Sequence, residues 1–100
     1  MRGKRSGDRP LHEMGIAEAI VRAVTTEAAR RGAERVRSID LDVASREGLT
    51  VEAITSAFEI AAQGTNAEGA VLRVEVLPET TAPPSLGWVV RHATMDLPDP

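Results

Sequence analysis

Two rhythms of apolar residues alternate along the chain, one helical and one of period 2. From Glu13 to Arg31 the spacing is helical. Ile16, Ile20, Ala23, Val24 and Ala28 fall three and four apart and form one stripe. Glu13 and Glu18 stand near the start, where the helix dipole favours anions, and Arg30 and Arg31 stand in the last turn, where it favours cations. Gly32 suits the left-handed position that ends such a helix. From Val36 to Val43 the period becomes 2. Ile39, Leu41 and Val43 point one way and Ser38, Asp40 and Asp42 the other, which predicts a half-buried strand. Ala44 to Leu49 is a polar turn around Gly48, and Thr50 is placed to cap a second helix. Val51, Ile54, Phe58 and Ala61 give that helix its stripe, and Gly64 closes it. Thr65 to Gly69 is a loop. Val71 to Leu77 alternates again, with Leu72, Val74 and Val76 opposed to Arg73 and Glu75, and Pro78 ends it. A turn-rich connector, residues 79–87, leads to a last strand from Trp88 to Leu97. There Ala93, Met95 and Leu97 share one face and His92, Thr94 and Asp96 the other.

The order α-β-α-β-β predicts an α/β (α+β) fold, a single small domain with two helices packed on a three-stranded mixed sheet. A strand–helix–strand unit places its strands parallel through a right-handed crossover. The last two strands, joined by the short connector, are expected to pair antiparallel with each other. One hundred residues hold one such domain. Residues 1–10 carry Arg2, Lys4, Arg5 and Arg9 against Asp8 alone, broken by Gly3, Gly7 and Pro10, and read as a disordered leader.

Composition removes several function classes. The chain has no cysteine, which excludes disulfides, thiolate zinc sites and cysteine nucleophiles. A net charge of −3, with one Trp, one Phe and no Tyr, argues against nucleic acid as a partner. No apolar run approaches the roughly 18 residues of a membrane span, and no apolar segment of a secretory signal follows the basic leader. A cytoplasmic protein is expected. No nucleophile pairs with a base and no glycine loop cradles phosphate, so no enzyme is expected.

The candidate chemistry concentrates at His12-Glu13, directly before and at the start of the first helix. The pair fits a metal site or an ordinary helix start. Taken alone it fits the helix start better, with Glu13 on the dipole and His12 in solvent. Imidazole and amine nitrogens suit nickel(II). The acidic row Asp40 and Asp42 fits a solubilising outer face better than a cation site, and His92 is expected to be exposed.

The stretch Leu11-His12-Glu13-Met14-Gly15-Ile16-Ala17 resembles the opening of the HypA/HybF family of hydrogenase nickel chaperones, which begin Met-His-Glu-Met-Ser-Ile-Ala or nearly so. The resemblance continues through Ala28 to Val36, at Ser56-Ala57-Phe58-Glu59, and at Gly64-Thr65-Asn66-Ala67-Glu68-Gly69-Ala70. It implies a nickel-binding domain over residues 11–97, with His12 as nickel ligand and Glu13 as its neighbour in the site. It implies a metallochaperone that delivers nickel to the large subunit of NiFe hydrogenase with a HypB-like GTPase as partner.

Three departures qualify what the resemblance implies. The family's zinc domain, with its two Cys-x-x-Cys pairs, is replaced by the short loop 79–87, so no zinc is expected. The family's Gly-Glu-Leu-Ser turn reads Ala44-Ser45-Arg46-Glu47. The family begins with methionine where Leu11 stands, and its amino terminus helps to bind nickel. TTG and CTG encode methionine when they initiate, so residues 1–10 are expected to reflect a misplaced start. The alternative to a nickel carrier is a metal-free adaptor of the same fold that docks on hydrogenase or another maturation protein.

Overall fold

The structure, a computed structural model, describes residues 13–45, 50–78 and 87–98. Its elements are α1 (Glu13–Arg31), β1 (Arg35–Ala44), α2 (Val51–Ala61), β2 (Val71–Leu77) and β3 (Trp88–Asp96). The predicted order and class are both found.

α1 ends as its sequence dictates. Gly32 adopts φ +68°, a conformation that side chains disfavour. Its N–H donates to the Ala29 carbonyl, and the Ala33 N–H donates to that of Ala28 at 2.8 Å. These two bonds make a Schellman turn, which satisfies carbonyls the helix would otherwise leave open. Ala28 and Ala33 are both buried beside it. At the start of α2 the Thr50 hydroxyl accepts from the Ala53 N–H at 3.0 Å, the capping bond expected of that residue.

The buried face of α1 is turned slightly from the predicted one. Ala17, Ile20, Val21, Val24 and Ala28 are buried, Ile16 is half-buried and Ala23 is exposed. Small buried side chains, Ala17 and Ala28 of α1 with Ala57 and Ala62 at α2, belong to the one core that both helices cover. In α2, Ile54, Ala57 and Phe58 are buried, whereas Val51 is exposed and Ala61 half-buried at the margin of the stripe.

The sheet order is β2-β1-β3, with β1 parallel to β2 and antiparallel to β3. The expected direct pairing of the last two strands is therefore corrected: β3 pairs with β1, on the side away from β2. The reason lies in β1. Its Val36, Ile39, Leu41 and Val43 are all wholly buried, so its backbone needs partners on both edges. Crossing the end of β1 spans two strand spacings, about 10 Å, which a connector of about ten residues covers easily. The Ala44 N–H donates to the Gly87 carbonyl at 2.9 Å where the chain arrives at β3.

Two register shifts reset the faces. One falls between Val36 and Ser38 of β1, so that Val36 and Ile39 are both buried although three apart. The other sets Arg91 and His92 of β3 against Asp40, so that Val90 and Ala93 both face the helices. Trp88, Val90, Ala93 and Met95 pack on the core, as predicted for the last two, while Leu97 is 59% exposed beyond the end of the strand.

Both helices cover one face of the sheet. The other face carries cross-strand ion pairs. Arg73 meets Asp40 at 2.6 Å, Arg91 meets Asp42 at 2.6 Å, and Arg37 meets Asp96 at 2.7 Å. The Arg73 hydrogen bond holds the Asp40 carboxyl below its ordinary range, and the bond to Asp42 raises the Arg91 guanidinium. On α1, Arg31 and then Arg30 lower Glu27 in the same way. Asp40 and Asp42 are mostly covered but their arginines are well exposed, so each pair adds little stability in water.

A motif noted in the sequence proves to be a folding device. Between α2 and β2, the Thr65 hydroxyl accepts from the Ala67 N–H and donates to the Ala62 carbonyl, while the Glu68 carboxylate accepts from the Gly64 N–H. Gly64 and Gly69 hold φ +80° and +83°. The Val36 N–H donates to Asn66 and the Arg35 guanidinium to the Glu68 carbonyl, which fastens this loop to the start of β1.

Two measurements check this account. Phe58 is the largest wholly buried side chain, so Phe58→Ala is expected to cost about 3–5 kcal/mol in urea denaturation, a large part of a small domain's stability. Asp40 is a depressed carboxylate, so what its ion pair contributes is present above its unfolded value of 3.8 and lost as the pH falls through its folded value. The stability difference between the wild type and Asp40→Asn is thus expected to shrink steadily as denaturation is repeated below pH 3.8.

Candidate metal site

Glu13, the described residue of the site predicted from the sequence, sits at one end of the sheet. The chain reverses tightly after α1 through residues 32–34, so α1 runs against β1. β3, antiparallel to β1, runs alongside α1, and Ala23, Val24, Glu27 and Arg31 line a groove with Val90, Ala93 and Met95. The start of α1 therefore lies toward the end of the sheet where β1 and β2 finish and β3 begins. The turn after Ala44, the cap at Thr50 and both ends of the connector between β2 and β3 belong to this same end.

Glu13 is the first residue of α1 and is half-buried. His12 lies outside the described residues, as do residues 46–49 of the altered turn, 79–86 of the connector and the leader. The position next to Glu13 has a definite electrostatic character. The open N–H groups of a helix start carry a partial positive charge. That field opposes a bound cation, and a carboxylate in the first turn offsets it.

The remaining candidates are accounted for differently. Asp40 and Asp42, the possible cation row of β1, are each held by an arginine from a neighbouring strand. His92 is exposed on the helix-free face, opposite Asp40 in the register. Among the described residues, no three His, Asp or Glu side chains gather as a metal site. The sequence alone did not identify Arg73 and Arg91 as the partners of the acidic row. The place of Arg73 on the polar side of its strand was visible, but strict alternation sets Arg91 on the side of Ala93, and the register shift that turns it outward is not a local property.

Residues 11–83 match the family described as "Hydrogenase/urease nickel incorporation, metallochaperone, hypA". The hydrogenase maturation factor HypA of Chlorobaculum tepidum is 43% identical over 65 residues, covering 65% of this chain and 58% of that protein. The factor of the same name from Dechloromonas aromatica is 34% identical over 83 residues, covering 83% of this chain and 68% of that one. The chain spans somewhat over half the length of most of these relatives. The fold matches the solution structure of the Ni metallochaperone HypA from Helicobacter pylori with a TM-score of 0.70 at 12% identity, over 88% of this chain and 100% of that one. With its family match beginning at the residue before His12 and running through β2, this chain belongs to the HypA family of hydrogenase and urease nickel-incorporation metallochaperones.

Proposed function

We propose that this chain carries nickel for the maturation of a NiFe hydrogenase in the cytoplasm, and delivers it to the enzyme's large subunit together with a HypB-like GTPase. The observation that carries this reading is the family match over residues 11–83, which includes the His12-Glu13 pair at its start. No helix among the described residues is long and apolar enough to cross a membrane. Nickel is cargo here, so its site must release as well as bind. A ligand set at the beginning of a helix suits that demand.

In this reading the His12 imidazole is a nickel ligand. Glu13 offsets the dipole of α1 at the bound cation. A chain that begins at residue 11 adds a terminal amine one residue before the imidazole. Amine, imidazole and an intervening amide nitrogen make the planar nitrogen set that nickel(II) favours. A second reading is favoured by the lack of cysteine: the zinc domain with its two cysteine pairs has no counterpart here, and a metal-free adaptor of the same fold needs none.

Calorimetric titration with Ni²⁺ separates the two. A chain starting at residue 11 with methionine in place of leucine is expected to bind nickel, and the 100-residue chain more weakly. His12→Ala is expected to lower the affinity by at least about a hundredfold, beyond the roughly 10–100-fold cost of losing a group behind a ligand. Binding should also weaken by more than tenfold per pH unit below about 6.5 in the chain starting at residue 11, because imidazole, amine and amide must each give up a proton. Tight binding that survives His12→Ala would refute the assignment, and no binding by either chain would leave the adaptor.

A further inference from the structure

The two edges of the sheet are built differently. On β3 the doubled residues Arg91 and His92 interrupt the register, and Arg91 is drawn to Asp42. A bulge and a charge of this kind twist and blunt an edge. β2 has neither. It holds regular register with β1 over all seven residues, from Ser38–Val71 to Ala44–Leu77, and contains no proline or glycine. Among the described residues, no strand lies beyond it. Its inward side chains are incompletely covered. Leu72 and Val74 are half-buried and Val76 is 40% exposed, whereas their neighbours Ile39, Leu41 and Val43 on β1 are wholly buried. α2 thus leaves a strip of the sheet open along this edge. On the outer side Val71 is 55% exposed.

The order of residues in β2 is self-complementary about Val74. Side chains that oppose each other in an antiparallel pair share a face. With Val74 on a two-fold axis, Leu72 opposes Val76 and Val74 opposes its own copy on the helix side. On the outer side Val71 opposes Leu77 and Arg73 opposes Glu75. Symmetry forms both ion pairs twice over. The neighbouring registers that preserve the faces do not work. An axis through Arg73 or Glu75 sets two like charges directly opposite each other.

Glu75 has only a loose partner in the isolated chain. Glu75 stands beside Asp42 in the parallel register, and the Arg91 guanidinium that binds Asp42 at 2.6 Å is 3.9 Å from Glu75. The Glu75 side chain is 68% exposed. Arg73 of a second copy would supply a closer cation while keeping its own bond to Asp40.

We propose that the edge of β2 is a self-association surface, on which two copies of this chain pair β2 to β2 about an axis through Val74 and join their sheets into one of six strands. The test is sedimentation velocity of the full chain over a concentration series, with circular dichroism to verify the fold of each variant. The wild type is expected to dimerise. Glu75→Arg opposes two arginines across the axis, and Arg73→Glu opposes two glutamates; each alone should weaken association roughly tenfold or more. Mixed in equal amounts, the two variants restore both ion pairs in a heterodimer and should regain wild-type association. A wild type that stays monomeric to millimolar concentration, folded single variants that associate like the wild type, or a mixture that fails to recover would each overturn the proposal.

Discussion

β1 must be enclosed on every side, and the other elements are placed by that requirement. Four of its side chains are wholly buried on one face, more than on any other strand. Hydrocarbon of this amount needs both helices above it, and a buried backbone needs a strand on each edge. The parallel partner arrives through the α2 crossover and the antiparallel partner by a connector that passes the end of β1. The outer face is closed by charge rather than by bulk. Asp40 and Asp42 each take an arginine from a different neighbour, so the same strand is the meeting point of its neighbours' side chains on its outer face as well.

This enclosure divides the molecule into two ends. At the start of β1 the loop from Gly64 to Ala70 is fastened by backbone and guanidinium bonds, and the Schellman turn of α1 closes beside it. Residue types that resemble the family are explained there by turns, caps and buried alanines. At the far end lie the start of α1, the ends of β1 and β2 and the start of β3. The family's chemistry is proposed for that end.

Much of the fold was legible in the sequence because it follows from local rules. The bounds of α1, the glycine that ends it, the Thr50 cap and the alternating strands all depend on residues within a turn or two of each other. The pairing of β3 with β1 was not legible, because it depends on which strand has most to bury. Nor were the register shifts at Arg37 and at Arg91–His92, which move whole faces by one residue without a glycine or proline to announce them. The proposed nickel site could be read only through family resemblance. A histidine followed by a glutamate at a helix start is ordinary, and chemistry alone favours the ordinary reading.

The connector between β2 and β3 has one further consequence. Its two ends are pinned: Leu77 by its place beside Ala44, and Gly87 by the bond its carbonyl accepts from the N–H of that same residue. The gap between these anchors is set by the width of β1 and not by the length of what bridges it. Such a place acts as a socket. A short bridge and a complete module with neighbouring termini meet the sheet at the same two points. The closure cost grows only slowly with length, so a lineage can gain or lose a module here and leave the core beneath it unaltered.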